Sequence, residues 1–303
     1  MRVAKTAVFA LALGLLPGSC IAAPPPKPVA KSPVKPGFKR QPRPVQEANP
    51  VSVGAFALDR NPEQGGIIRG QAPVGTTRLV VDNETIDIAP DGRFVIGFGR
   101  DYAPNVTITA YQAAGKAVSE RLTVLKRQWR VESLPTLPRI SQPDAEFQAR
   151  RPGELAQMNA ARRIPVVSDG WAQKFIWPVK GRISGVFGSQ RIYAGEPGSP
   201  HSGVDVAVPT GTPIVAPADG EVILAAKSPF TLEGNLLIVN HGLGLSSVFL
   251  HLSRIDVKPG DRVKQGQPIG AVGMTGRATG PHLHWGMRWR NERMDPQPFV
   301  GPM

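Results

Sequence analysis

The residues best suited to chemistry lie near the C-terminus, where His282 and His284 are separated by a single residue. Side chains alternate between the two faces of an extended strand, so both imidazoles would share one face while Leu283 and Trp285 point to the other. The chain has 303 residues and only five histidines. Two of them on one surface indicate a candidate site for metal binding or proton transfer.

Other potential ligands lie earlier in the chain. His201 is followed four positions later by Asp205, and His251 lies in a β-like run. Neutral imidazole combined with a carboxylate is a common ligand set for zinc, and three protein ligands leave a fourth position for a reactive water. Together with the histidine pair, these residues predict a catalytic zinc site with one Zn²⁺ per chain. The fifth histidine, His241, is predicted to be structural.

Several segments of the C-terminal half occur in the order found in a known family. From about Phe175 to Val300 the sequence resembles the LytM-like (lysostaphin-type, M23) metallopeptidases, which hydrolyse peptides of the bacterial cell wall. The segments that carry the resemblance are HSGVDVAVPTGTPIVAPADGEV, GNLLIVNHG, VFLHLS, VKPGDRVKQGQPIGAVGMTG and GPHLHW. The resemblance implies a β-rich catalytic domain of the M23 type, a duplicated hybrid or half-barrel arrangement, over residues 173–303.

The resemblance also implies roles for the candidate residues. His201, Asp205 and His284 match the zinc ligands of the family, while His282 and His251 match its catalytic histidines. The sequence has no H-E-x-x-H glutamate, so a histidine has to serve as general base and acid, and His282 is the first choice. His251 would orient the water or stabilise the oxyanion. No matched ligand is missing, which favours an enzyme over the alternative, a catalytically silent scaffold that activates a cell-wall amidase.

Two other resemblances concern the fold alone. The segments VAPADGEV and VKPGDRVKQGQPIG are similar to the half-barrel repeats of biotinyl and lipoyl carrier domains, and VFLH is similar to sugar-phosphotransferase IIA domains. A carrier needs a lysine at a hairpin tip, but only Lys227 and Lys258 lie between Glu221 and Pro259, neither in a carrier-like setting. The IIA domains lack the His-Asp-His set. Function therefore has to be argued from the site.

The N-terminus has the features of a secretory signal. Basic residues precede an apolar run over 7–16, and small residues follow it. The apolar run is too short to serve as a membrane-spanning anchor. We predict a signal peptide over 1–22, cleaved after Ala22, and an exported protein of the periplasm or cell envelope without a transmembrane segment. The rival is a lipoprotein attached through Cys20, but the leucine of its lipobox-like sequence lies one position too far away.

The next segment, residues 23–50, is predicted to be a disordered tether. Residues 24–50 contain nine prolines and six Lys/Arg residues against the single acid Glu47, a composition that cannot bury enough apolar surface to offset ordering entropy. The formal charge of the whole chain is +13. Export argues against nucleic acid as the partner, so the charge indicates an anionic envelope polymer, a membrane surface or a merely solvated tail. The family resemblance implies peptidoglycan as the substrate, with other envelope proteins or an amidase as further partners.

The remaining chain is predicted to be mainly β. Residues 51–128 alternate apolar and polar residues in short runs separated by turn signals about ten residues apart, which indicates an Ig-like antiparallel sandwich acting as an accessory module. Residues 129–172 are predicted to be a connector with one or two short helices, interrupted at Pro152 and Gly153. Taken together with the family resemblance, the sequence predicts an exported zinc endopeptidase, a hydrolase that cuts peptide cross-links of peptidoglycan.

Overall fold

The computed structural model describes residues 51–136 and 145–303, all of which belong to one compact unit. The predicted signal peptide over 1–22, with Cys20, and the predicted tether over 23–50 lie outside the described residues. Among the residues described, no helix is both long and apolar enough to cross a membrane.

The first part of the described chain forms two four-stranded antiparallel sheets. Their strands are β1 (Val51–Val53), β2 (Phe56–Leu58), β3 (Ile67–Gln71), β4 (Thr76–Val81), β5 (Glu84–Ile86), β6 (Arg93–Gly97), β7 (Asn105–Gln112) and β8 (Ala117–Thr123). One sheet has the order β1-β2-β3-β6 and the other β5-β4-β7-β8. Alternation fixes which face is buried: along β7, Val106, Ile108 and Ala110 are buried while the residues between them are not. The immunoglobulin-like assignment stays a prediction.

The described part of the connector contains one strand, one α-helix and a short 3-10 turn. Strand β9 (Val131–Leu134) is followed by helix α1 (Ala145–Arg162), which continues through Pro152 instead of breaking there as expected. A proline removes one backbone hydrogen bond from a helix interior. Tertiary packing can offset that loss, because the face carrying Glu154, Met158 and Ala161 is buried.

The C-terminal part is built on one large antiparallel sheet. Its strands and those of two smaller sheets are β10 (Arg182–Gly185), β11 (Gln190–Tyr193), β12 (Glu196–Pro197), β13 (Val204–Ala207), β14 (Pro213–Val215), β15 (Gly220–Ala225), β16 (Asn235–Gly242), β17 (Leu245–Leu252), β18 (Arg254–Ile255), β19 (Arg262–Val263), β20 (Pro268–Ala271), β21 (Leu283–Trp289) and β22 (Glu292–Met294). The large sheet has the order β10-β13-β21-β17-β16-β15-β19, with β22 paired to β21. The smaller sheets are β12-β11-β9 and β14-β20-β18. Short 3-10 turns lie at Ala113–Gly115, Gly170–Ala172 and Gln297–Phe299.

Both faces of the large sheet are covered. One face belongs to the main hydrophobic core, which runs without interruption from the N-terminal sheets into the C-terminal part. The other face carries a smaller cluster in which Met158 of α1 packs with Phe230, Leu236 and Ile238. The prediction of a mainly β chain is confirmed, and the division into domains stays a prediction.

Candidate metal centre and catalytic site

Two neighbouring strands bring the predicted ligands together. Asp205 of β13 lies directly opposite His284 of β21 in the antiparallel register. The flanking residues Val204 and Leu283 are fully buried in the main core, so strand alternation turns Asp205 and His284 to the other face. His201 lies in the loop that leads into β13. The valines that flank Asp205 in the sequence are therefore buried in the strand, and Asp205 faces the site.

The three side chains converge on one point. His284 Nδ1 lies 2.9 Å from Asp205 Oδ1, and His201 Nε2 lies 3.1 Å from the same oxygen. The two nitrogens are 3.1 Å apart. One donor atom from each of the three residues thus lies within 4.8 Å of the others.

The charge of this cluster suits a divalent cation. Burial alone would raise the pKa of Asp205, but hydrogen bonds from His201 and His284 lower it well below its usual range. Burial lowers the pKa of His284. Burial also opposes the charged form of His201, yet the hydrogen bond to Asp205, the charge of Asp205 and the hydrogen bond to Val186 O together outweigh it and raise that pKa. Two ring nitrogens and one ionised carboxylate form the donor set that zinc prefers.

Two glycines leave the space that these donors need. A Cβ at Gly185 would lie 2.9 Å from Asp205 Cγ and 3.0 Å from His201 Cε1, and one at Gly203 would lie 2.8 Å from His284 Nε2. Any larger residue would push a donor away from the shared point. The donor types, their convergence and this glycine cradle fit a zinc ion.

Backbone carbonyls fix the orientation of the outer histidines. The Nδ1 atom of His282 lies 2.8 Å from Gly280 O, and Nδ1 of His251 lies 2.8 Å from Thr275 O. A carbonyl only accepts hydrogen bonds, so each Nδ1 carries the proton and each Nε2 is left as the acceptor. The ring centroids of His251 and His282 lie 4.9 Å apart, and His282 Nε2 lies 3.7 Å from Asp205 Oδ1. His201 is held in the same way, with Nδ1 donating to Val186 O at 3.1 Å.

His251 has an unusual backbone conformation. Its φ is +63°, and it lies where the register between β16 and β17 shifts. Bulges of this kind redirect a side chain, and left-handed conformations of residues other than glycine occur at functional sites. The backbone N–H of His251 donates to Glu233 O at 2.9 Å. Burial lowers the pKa of this side chain to about 4.

His241 lies outside the cluster. Its ring is fully buried, with Nδ1 donating to Asp219 O and Nε2 near Ser247 Oγ, both at 2.8 Å. Phe175 contacts it edge-on, with ring centroids 4.9 Å apart. Both nitrogens have partners within the core, in keeping with the structural role predicted for this residue.

No sequence pattern indicates the groups that hold the site in place. These are the carbonyl oxygens of Val186, Glu233, Thr275 and Gly280, and every residue carries such an oxygen whatever its side chain. The ion pair between Arg151 and Glu233, at 2.6 Å, has no sequence signal either. These groups can be identified only from the three-dimensional structure.

A β-rich fold that presents a His-Asp-His donor set beside two further histidines defines a metallohydrolase-like class of protein. Residues 199–296 match the model of peptidase family M23. A crystal structure of a Pseudomonas aeruginosa protein assigned to peptidase M23 is 32% identical and covers 80% of this chain and 96% of that chain, with a TM-score of 0.60. The chain belongs to peptidase family M23, and the resemblance seen in the sequence is confirmed.

Similarity extends to curated proteins of Vibrio cholerae serotype O1. Peptidoglycan DD-endopeptidase ShyB is 36% identical over 158 residues, which is 50% of this chain and 33% of that protein. Peptidoglycan DD-endopeptidase ShyA is 41% identical over 114 residues, 37% of this chain and 26% of that protein. The chain therefore spans a third or less of the length of these relatives.

Proposed function

We propose that this protein is an exported zinc endopeptidase that hydrolyses peptide cross-links of peptidoglycan in the cell envelope. The observation that carries the proposal is the convergence of the donor atoms of His201, Asp205 and His284 beside two histidines whose Nε2 atoms are free to accept protons. Membership of family M23 and the names of the Vibrio relatives support the choice of substrate.

In this proposal His201, Asp205 and His284 hold the metal. When bound there, zinc supplies a Lewis acid that promotes deprotonation of water near neutral pH and polarises an amide carbonyl. The pKa of Asp205 lies well below its usual range, so its carboxylate is ionised at neutral pH and offsets part of the positive charge of the cation. Val186 O fixes the tautomer of His201 and leaves Nε2 as its ligand atom.

His282 performs the proton transfer. Its Nε2 accepts a proton from the attacking water and returns it to the leaving amine nitrogen, while Nδ1 stays bonded to Gly280 O. The carboxylate of Asp205, 3.7 Å away, stabilises the imidazolium that forms in between.

His251 orients the attacking water. With its proton on Nδ1 and a pKa of about 4, it is neutral at pH 7 and presents Nε2 as an acceptor. A neutral acceptor cannot donate to an oxyanion. Of the two roles considered for His251, the geometry therefore favours binding a hydrogen of the water.

The test combines metal analysis with digestion of purified peptidoglycan. We expect about one zinc per chain in the wild type and release of new peptide amines, whereas Asp205→Ala should lose both zinc and hydrolysis. Asp91→Ala is the matched control, because this exposed aspartate pairs only with Arg93. A wild type that binds zinc, releases no amines and stimulates a separate amidase would replace the enzyme by the scaffold alternative.

A further inference from the structure

A second group of charged residues lies on the same sheet face as the candidate metal centre. Arg288 follows His284 by four positions on β21, so the two side chains project from one face. Between them on that face lies only Gly286, which has no side chain. At about 3.3 Å per residue, Arg288 is about 13 Å from His284 along the strand.

Two further arginines approach Arg288. Arg293 of β22 is its direct cross-strand partner, and such partners lie on one face with their Cβ atoms about 5 Å apart. Arg162, the last residue of α1, is close enough to both for their charges to interact. We call Arg162, Arg288 and Arg293 the arginine cluster.

The arginine cluster lacks the acceptors that three guanidinium groups need. Arg288 donates only to Asn291 O, at 3.1 Å, and Arg162 donates to Asn159 Oδ1, at 3.2 Å, and lies 3.8 Å from Met158 Sδ. The Nε atoms of Arg162 and Arg288 are buried without a hydrogen-bond partner. Buried polar groups in proteins are nearly always satisfied, so such atoms call for an explanation.

The nearby acids do not neutralise the cluster. Glu233 is engaged by both terminal nitrogens of Arg151, at 2.6 and 2.9 Å. Glu292 accepts a backbone hydrogen bond from Gly99. Among the described residues, no carboxylate forms an ion pair with any of the three arginines. Burial, with repulsion from Arg162 and Arg293, outweighs the attraction to Glu292 and lowers the pKa of Arg288 to about 10.

We propose that the arginine cluster is a subsite for a free carboxylate of the peptide substrate. The inference rests on the proposed function, because it takes the peptide to extend from the metal centre along β21. An extended peptide covers the distance of about 13 Å with about four residues. Guanidinium groups bind carboxylates through paired N–H donors, and the carboxylate would pair with the terminal nitrogens of the arginine cluster, with which no acid among the described residues forms an ion pair.

The test measures equilibrium binding of two synthetic cross-linked peptides, one with free carboxylates and one with the same groups amidated. Binding is measured to Asp205→Ala protein, which is expected not to hydrolyse them. Placing Arg288→Gln or Arg293→Gln in this background should weaken binding of the free-carboxylate peptide about tenfold or more, the range of a charge-assisted hydrogen bond. The amidated peptide should bind all of these proteins equally weakly.

Arg254→Gln is the matched control, since Arg254 lies on β18 and its exposed side chain pairs with Asp256. In proteins with Asp205 intact, the cluster variants should raise KM for the free-carboxylate peptide and leave kcat and zinc content unchanged. Arg293 is exposed, so its variant gives a result even if Arg288→Gln fails to fold.

Three outcomes would overturn the assignment: equal binding of both peptides, an unchanged preference in the cluster variants, or competition by inorganic phosphate without a peptide preference. Failure of the proposed function looks different. If the wild type cleaves neither peptide, but its preference for the free-carboxylate peptide disappears in Arg288→Gln, the subsite is retained and the endopeptidase proposal is rejected.

Discussion

The five candidate site residues fall into two groups according to the partners of their side-chain polar atoms. His201, Asp205 and His284 each direct one ligand atom to a shared point, whereas His282 and His251 donate through Nδ1 to main-chain carbonyls and leave Nε2 as an acceptor. A metal ligand has to be held in a fixed position, whereas a proton carrier needs a nitrogen lone pair that is free to accept a proton. The two groups should therefore respond differently to mutation.

At the residue scale, His282→Ala should keep zinc and lose turnover. The three proposed ligands remain in place, so zinc content should stay near that of the wild type, while the missing general base and acid lowers kcat about 10²- to 10⁴-fold. His251→Ala should cost less, because it removes only an orienting acceptor. Amine release at matched zinc content is the measurement. If His251→Ala lost more activity than His282→Ala, the proton transfer would belong to His251.

At the element scale, helix α1 holds the loop that supports His251. Glu154, 5% exposed, accepts hydrogen bonds from the backbone N–H and hydroxyl of Thr231, both at 2.7 Å. Two residues further on, Glu233 pairs with Arg151 through its side chain and binds the N–H of His251 through its carbonyl oxygen. The helix is thus linked to the site by one short loop.

Glu154→Ala should therefore reduce both stability and turnover. Loss of the acceptor leaves the Thr231 donors unsatisfied, at about 1–3 kcal/mol of unfolding free energy. Although burial favours its protonated form, the hydrogen bonds from Thr231 lower the pKa of Glu154. The stabilisation is therefore complete above the unfolded pKa of about 4.3 and is lost as pH falls through the folded value.

Glu146→Ala is the control for this measurement. It lies on the same helix, but its side chain is 73% exposed, and exposed pairs contribute little. Denaturant unfolding at pH 7 and at pH 3, with kcat at matched zinc content, measures the effect. Equal unfolding free energies for Glu154→Ala and Glu146→Ala at pH 7 would contradict the anchoring role.

At the scale of the whole molecule, the N-terminal sheets pack firmly against the catalytic part. The N–H of Asp295 donates to Gly65 O at 2.8 Å, and the buried carboxylate of Asp295 pairs with Arg127 at 2.9 Å. Gly97 of β6 faces Met294 and Trp289 so closely that a Cβ would lie 2.6 Å from Trp289 Cβ. The N-terminal sheets therefore support the same strands, β21 and β22, that carry His284, Arg288 and Arg293.

Gly97→Ala should destabilise the whole described unit. The added methyl group has no space between the two parts, and overpacking of this kind costs about 1–3 kcal/mol. Gly301→Ala is the control, since a Cβ there meets nothing within 4 Å. Tryptophan fluorescence and zinc release should report one common unfolding transition. Two separate transitions, with only the first shifted by Gly97→Ala, would show that the parts unfold independently.

The sequence by itself determined the mainly β fold, because alternation of apolar and polar residues is a local signal that strands reproduce directly. It also determined the candidate residues. The i, i+2 spacing of His282 and His284, and the valines around Asp205, are enough to choose the face on which each side chain lies. The M23 resemblance assigned their roles, and the structure places these residues at one site.

Only the tertiary structure decided what supports them. The carbonyls that orient His201, His251 and His282 carry no sequence signature, because every residue has one. Helix α1 passes through Pro152 because burial of its inner face outweighs a local propensity. Arg288 and Arg293 pair across neighbouring strands, but Arg162 at the helix end lies more than a hundred positions before them, and no local pattern encodes its proximity.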